Sequence, residues 1–216
     1  MSTDAGAREL GPAARRVLAD EVADALRTAI VTGSLGSGQR LIEHELATQL
    51  AVSRGPVREA LSRLSQEGLV VVDRHRGATV AALSGSEVAE IYSLRTVLEQ
   101  LAGEWACRMA TDEDLAAIGR VVAQFDELPR PRTRQAVAAL DLGFHDAIFR
   151  ASHHDRAYRA WRALCSQLSL YLVQRGALDG DFTAAWRDSH QKLLEALQTR
   201  DRTVVAQAIA VHIRGA

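Results

Sequence analysis

The chain has 216 residues, 47% of them hydrophobic, and a formal net charge of −1; this allows one large or two modest domains with packed cores. No apolar run approaches the roughly 18 to 20 residues of a membrane span, and Met1 to Gly11 lacks the apolar segment and cleavage site of a signal peptide, so a cytoplasmic protein with a disordered lead-in over 1–13 is expected. The near-neutral balance excludes global basicity and leaves room only for a local basic edge towards nucleic acid.

Leu18, Val22, Leu26 and Ile30 recur at helical spacing and mark a first amphipathic helix ending near Gly33. Ile42, Leu46 and Leu50 mark a short second helix, and Ala51-Val52 is the tight turn after it. Ser53 is a good N-cap for a third helix, whose apolar face is Val57, Ala60, Leu61 and Leu64. Arg54 and Arg58 stand four residues apart on another face, in the first two turns. A guanidinium there can donate two hydrogen bonds to a guanine edge or pair with phosphate. Two short helices, the second opening on arginines, form the helix-turn-helix pattern. Gly68 stops the third helix. Leu69 to Val72 and Ala78 to Ala82 then read as the strands of a hairpin, with Arg74, His75, Arg76 and Gly77 at a basic tip.

After Ala82 the pattern is all helical. Ser84 and Glu87 have the form of a capping box, with Ser86 an equal candidate for the cap, and Val88, Ile91, Leu94, Leu98 and Leu101 are expected inward along a helix reaching about Cys107. Thr111 with Asp114 opens the next helix, ending near Phe125, and Pro129 and Pro131 break the chain. Four more helices follow, over about 133–151, 157–175, 182–199 and 202–214. The expected fold is mainly α: a winged helix-turn-helix over 14–82, then an antiparallel six-helix bundle over 84–216. Cys107 and Cys165 have no metal-type spacing and read as buried thiols in a reducing compartment.

Asp141 and His145 share one helical face; His190 lies between Trp186 and Leu193-Leu194; His212 lies beside Ala208 and Ile209. A lone histidine is usually a satisfied core residue. Three histidines and an aspartate on inner faces form a borderline nitrogen and oxygen set suited to zinc, with nickel or manganese as further choices. Arg95, four residues before Glu99, fits an intrahelical ion pair.

Gly33-Ser-Leu, Glu43-x-Glu45-Leu-Ala, Val52-Ser-Arg-x-Pro-Val-Arg-Glu-Ala-Leu61, Glu67-Gly-Leu69 and Arg76-Gly77-x-x-Val80 resemble the DNA-binding domain of GntR-family bacterial transcription regulators. The resemblance implies base reading by Arg54 and Arg58 and a wing tip admitted to the minor groove by Gly77. His44 stands where the family usually has arginine, and Gly55 where it usually has threonine. With Ser53, these positions complete the expected DNA-facing set.

Leu94-Arg95-x-x-Leu98-Glu99, Asp141-x-x-Phe144-His145, Ser189-His190 and Ala208-x-x-x-His212 are similar to the FCD effector domain of the FadR subfamily, here in its shorter, VanR-like form. That likeness implies a divalent metal on Asp141, His145, His190 and His212, and a small carboxylate effector reached by Arg95. It implies a homodimer on an inverted-repeat operator, most often a repressor. Ser152-His153-His154 departs from the family's Ser-Gly-Asn, with both histidines expected at the surface. The competing reading is a metal-dependent hydrolase or hydratase within the bundle. No His-Glu-x-x-His helix or other recognisable general base supports it.

Overall fold

The computed structural model describes residues 14–73, 77–174 and 180–215. The expectations for the lead-in over 1–13 and for Arg74, His75 and Arg76 fall outside the described residues. In chain order the elements are α1 (Ala14–Val31), β1 (Arg40–Leu41), α2 (Glu43–Gln49), α3 (Arg54–Gln66), β2 (Val70–Asp73), β3 (Gly77–Val80), α4 (Gly85–Met109), α5 (Asp112–Glu127), α6 (Arg134–Ala151), α7 (Asp155–Gln174), α8 (Gly180–Gln198) and α9 (Arg202–Arg214).

The first core is built by Val22, Leu26 and Ile30 of α1, Leu46 of α2, and Val57, Leu61 and Leu64 of α3, closed by Leu69, Val70 and Val80. All four apolar positions read from the third helix are buried. Ser53 occupies the N-cap position with extended backbone, but its hydroxyl makes no capping hydrogen bond. The expected cap is therefore present in backbone only. β3 pairs antiparallel with β2, Val72 opposite Ala78 and Asp73 opposite Gly77. It pairs on its other side with β1, a two-residue strand too short to leave a periodic signal.

Side-chain caps start the bundle's helices where the sequence places them. Ser84 and Glu87 form a reciprocal box at α4, and Thr111 and Asp114 form another at α5. Asp201 accepts from the backbone N–H of Thr203 and Val204 at α9. At α7 the cap is unusual: Nδ1 of His154 accepts from the N–H of Ala157 at 3.2 Å, while the ring packs edge-on to Trp105. His154 is thus half-buried and structural, whereas His153 is exposed beside Asp114. Phe125 stacks on Trp186 and Phe149 on Trp161 within the core.

The inner face of α4 differs from the expected one. Ile91, Arg95, Glu99, Ala102 and Ala106 are buried, while Leu94 is 55% exposed and Val88, Leu98 and Leu101 are only half-buried. The buried stripe carries an ion pair, and the aliphatic stripe lies to its side.

The two cores meet through α7. Leu170 projects from α7 into the core of the N-terminal unit and is 1% exposed. Leu83 touches both cores. Gln167 Nε2 donates to the backbone carbonyl of Glu67, which caps the C-terminus of α3. Ser166 Oγ donates to the Glu67 carboxylate, which also receives two bonds from Arg27. Gly68 follows in left-handed backbone, φ +73°, and a Cβ there would lie 2.2 Å from Gln167 Nε2. Its glycine therefore both ends the helix and admits α7.

Candidate functional site

Two surfaces carry the residues singled out by the sequence. The first is an open cleft of about 610 Å³ between α2, α3 and the wing, lined among others by Arg40, His44, Arg54, Arg58, Gln66 and Gly77. Arg54 and Arg58 project from the first turns of α3 with side chains 65% and 69% exposed. Arg58 donates two hydrogen bonds to Glu43 of α2, at 3.1 and 2.9 Å, and Arg54 stands 3.8 Å from the same carboxylate. The Arg58 hydrogen bonds hold the Glu43 carboxyl below its usual range. Glu43 therefore lines up both arginines, a role that its place in the sequence motif did not reveal. Gly77 has φ +81°, so a side chain there would strain the wing, although a Cβ would meet no neighbour within 4 Å among the described residues.

The second surface is buried where α4, α6, α8 and α9 converge. Asp141 and His145 point inward from α6, His190 from α8 and His212 from α9; all four are at most 6% exposed. The three histidines each offer a ligand atom within 4.8 Å of the others. Asp141 Oδ1 lies 3.0 Å from His190 Nε2 and accepts from the Trp186 indole N–H.

Hydrogen bonds constrain the rings of His190 and His145. His190 Nδ1 faces the carbonyl of Trp186 at 2.7 Å, which can only accept, so Nδ1 carries a proton. Its Nε2 then turns towards a carboxylate oxygen without a well-aligned hydrogen bond. At 3.0 Å this pair needs a shared cation, either a proton on Nε2 or a metal ion. Arg95 Nη2 donates to His145 Nε2 at 2.6 Å, so that nitrogen presents its lone pair. His212 Nε2 stands 3.2 Å from the same atom, whose lone pair the guanidinium takes, and its Nδ1 lies 2.7 Å from Ser189 Oγ. The Ser189 hydroxyl can donate or accept, which allows His212 either tautomer.

Arg95 and Glu99 sit beside this cluster at 0% and 1% exposure, joined Nε to Oε1 at 2.6 Å. Glu99 Oε2 also lies 2.9 Å from His145 Nδ1. Nη1 of Arg95 is buried without a hydrogen-bond partner among the described residues. Burial pushes His145 below the usual histidine value, and burial with the neighbouring imidazoles takes His212 down to about 3. Burial opposes ionisation of Asp141, but His190, His145 and Arg95 outweigh it and hold the carboxyl well below its usual range. Burial likewise opposes ionisation of Glu99, yet His145 and Arg95 bring it to about 2. Burial thus disfavours protonation of His145 and His212, while Asp141 and Glu99 are held ionised, the forms in which imidazole and carboxylate bind metal. Three nitrogens and an oxygen fit zinc or a related divalent ion.

The structure brings His145, His190 and His212 together, with Asp141 beside His190 and Arg95 beside His145. Trp186 and Ser189, which support the ligands from behind, were not singled out as participants. Trp186 read as a core residue and Ser189 only as part of a motif. Their partners become visible only when α6, α8 and α9 are packed.

The Bacterial regulatory proteins, gntR family, model matches residues 18–80, and the FCD domain model matches residues 90–215. The chain is 29% identical over 192 residues to the gluconate operon transcriptional repressor of Bacillus licheniformis, covering 87% of this chain and 79% of that protein. It is 28% identical over 177 residues to the Nta operon transcriptional regulator of Aminobacter aminovorans, covering 82% of each. Among solved structures, E. coli McbR/YncC superposes with a TM-score of 0.78 at 25% identity, covering 92% of this chain and 94% of that one. These relatives are regulators of transcription, which sets aside the hydrolase or hydratase alternative. No described helix is long and apolar enough to cross a membrane. A winged helix with exposed arginines on its third helix, joined to an all-helical domain with a buried histidine cluster, matches both families over nearly the whole chain: it belongs to the GntR family of bacterial transcription regulators that carry an FCD domain.

Proposed function

We propose that this regulator is a homodimeric repressor whose 14–82 unit binds an inverted-repeat operator and whose 84–216 unit responds to a small carboxylate held beside a divalent metal. Asp141, His145, His190 and His212 would hold the ion, zinc first among the candidates. When bound, the metal offers a Lewis-acidic position that an anionic oxygen can occupy. The observation that carries this reading is the unpartnered Arg95 Nη1, buried beside the converging histidines. A carboxylate satisfies both a guanidinium and a metal, and a sugar acid such as gluconate, named in one relative, belongs on the panel to be tried.

Arg54 and Arg58 would read base edges, while His44, Ser53, Gly55 and Gly77 approach the backbone or groove. Two copies of a helix-turn-helix placed about one DNA turn apart favour a palindromic site. Dimerisation is supported by the outward face of α4, where Leu94 and Val97 are 55% and 64% exposed. Solvent-facing aliphatic residues on successive turns suit a self-complementary contact.

Metal content by plasma mass spectrometry, then calorimetric titration of a carboxylate panel and operator anisotropy with each binder, tests the reading. One divalent ion per chain and a carboxylate that weakens operator binding are expected. Purified protein that neither holds nor takes up a divalent ion would remove the metal from the proposal.

A further inference from the structure

We propose that Arg95 gates the metal site: its Nη2 and a divalent ion contend for one lone pair, Nε2 of His145, so that a carboxylate drawing the guanidinium away tightens metal binding. The inference rests on the metal-and-carboxylate reading above. It adds a linkage between the two ligands that neither the ligand set nor the family likeness contains.

The geometry is specific. The 2.6 Å contact from Arg95 Nη2 to His145 Nε2 uses the atom through which His145 faces His212. The same Nη2 stands 3.9 Å from Asp141 Oδ2, so the guanidinium lies among the ligands as a cation in its own right. A nitrogen lone pair cannot serve an N–H donor and a metal at once. The guanidinium must therefore swing before His145 can ligate.

Glu99 makes such a swing possible without stranding a buried charge. Its Oε1 holds Arg95 Nε at 2.6 Å, near the pivot of the guanidinium, and its Oε2 faces His145 Nδ1. Rotation about that anchor moves Nη1 and Nη2 while the ion pair persists. Glu99 is a positioning residue for both partners, in the manner of carboxylates behind metal-bound histidines. Nη1 has no hydrogen-bond partner among the described residues, so an anion offers Arg95 a bond that its present seat does not.

Charge points the same way. One guanidinium faces two buried carboxylates, Glu99 and Asp141. A dication leaves one positive charge in excess, and a single carboxylate removes it. In a site shielded from water such a balance weighs heavily. The effector class it favours presents one carboxylate to Arg95. By linkage, whatever factor the anion adds to metal affinity, the metal adds to anion affinity.

The test uses full-length protein stripped of metal, with Zn²⁺ affinity measured by competition against a chromophoric chelator. Arg95→Gln should bind Zn²⁺ about tenfold or more tightly than wild type, because a charge-assisted hydrogen bond no longer has to be broken. Sodium acetate, as the smallest carboxylate probe, should raise Zn²⁺ affinity in wild type more than in Arg95→Gln. Equal affinities within twofold would overturn the gate and leave the metal reading standing. Failure of wild type and variant alike to take up Zn²⁺ would remove the metal reading and the gate with it.

Loss of the buried cation leaves Glu99 without its guanidinium, so Arg95→Gln/Glu99→Gln is the companion variant; measured against Glu99→Gln alone, which carries the loss of the carboxylate behind His145, it should show the same tightening. A wild-type measurement decides if neither variant folds, and separates capping from simple charge repulsion. Nitrogen NMR of the imidazoles should show a guanidinium N–H bonded to a histidine nitrogen, and that coupling should vanish as Zn²⁺ is added. A coupling that persists at Zn²⁺ saturation would overturn the proposal.

Discussion

Leu170 belongs to the second domain by sequence and to the first domain's core by position, so Leu170→Ala should loosen the joint between them. The side chain is 1% exposed among residues such as Val22, Leu26, Leu64 and Val80. Truncating a leucine so enclosed removes its transfer energy and leaves a cavity, together about 3 kcal/mol. With a urea dependence of about 2 kcal/mol per molar, the N-terminal unit should melt about 1.5 M earlier. All three tryptophans, Trp105, Trp161 and Trp186, lie in the bundle. Tryptophan emission therefore follows the bundle alone, while far-ultraviolet circular dichroism follows both units. In the variant the dichroism midpoint should fall below the fluorescence midpoint, the two separating in urea. Midpoints that stay together and move by less than about 0.3 M would refute the assignment of Leu170 as the joint's main apolar contact.

Other consequences can be measured on the same protein. Arg54→Ala and Arg58→Ala should each weaken specific operator binding, by about 1–3 kcal/mol for each bidentate arginine–base pair removed, without altering the melting temperature; unchanged anisotropy titrations at fixed salt would contradict the role given to α3. Gly77→Val should weaken operator binding through strain at φ +81° rather than through a clash, so Gly77→Asn, which tolerates that backbone better, should retain more affinity. Burial pushes the Cys165 thiol from its usual 9.0 up to about 12. Below pH 9 it is neutral in both folded and unfolded chain; above that only the unfolded chain ionises, so stability should fall as pH rises towards 12, and alkylation of native protein at pH 8 should be far slower than in urea. Gln167→Ala removes one hydrogen bond to the end of α3 and should cost only about 1 kcal/mol in urea, yet change the carboxylate response of operator binding; an unaltered response would free α7 of any part in transmission.

The helices were legible because their apolar spacing and caps agree, as at Ser84 and Thr111. β1 was not, since two residues carry no period and only pairing with β3 defines the strand. The face of α4 was misread for a physical reason that bears on function. An apolar stripe is ordinarily the buried one, and Leu94, Leu98 and Leu101 form such a stripe. The bundle instead buries Arg95 and Glu99, because His145 and Asp141 stand opposite to receive them. Pairwise compensation across helices is invisible along a single helix. The joint was hidden for a similar reason: Leu170 has the spacing of any core leucine, and nothing local tells which core it enters. Glu43 was visible as a motif residue, but its hold on Arg54 and Arg58 needed α2 and α3 side by side.

The joint combines unlike strengths, and that difference constrains how a signal crosses it. Leu170 is a firm apolar anchor, whereas Ser166 and Gln167 add hydrogen bonds of 3.3 and 3.2 Å at the rim, each contributing about 1 kcal/mol. Coupling between ligand sites is typically about 1–3 kcal/mol. Differential binding of that size can exchange the rim bonds, but it cannot readily unseat Leu170. The motion that fits is a rotation of the DNA-binding unit about Leu170, with Glu67 and the end of α3 shifting against α7. The effector side of α7 is placed for this. Trp161 lies 6.0 Å from His145, ring to ring, and Tyr171 lies 5.7 Å from Tyr92. The Arg95 guanidinium stands 5.5 Å from the centre of the Tyr92 ring. A swing of Arg95 thus disturbs a side chain that touches α7 one residue from the anchor and four from Gln167. In a dimer two such rotations change the spacing of the recognition helices. Because half-site spacing is set by the DNA turn, such rotations in the proposed dimer would move the recognition helices out of register with a palindromic operator.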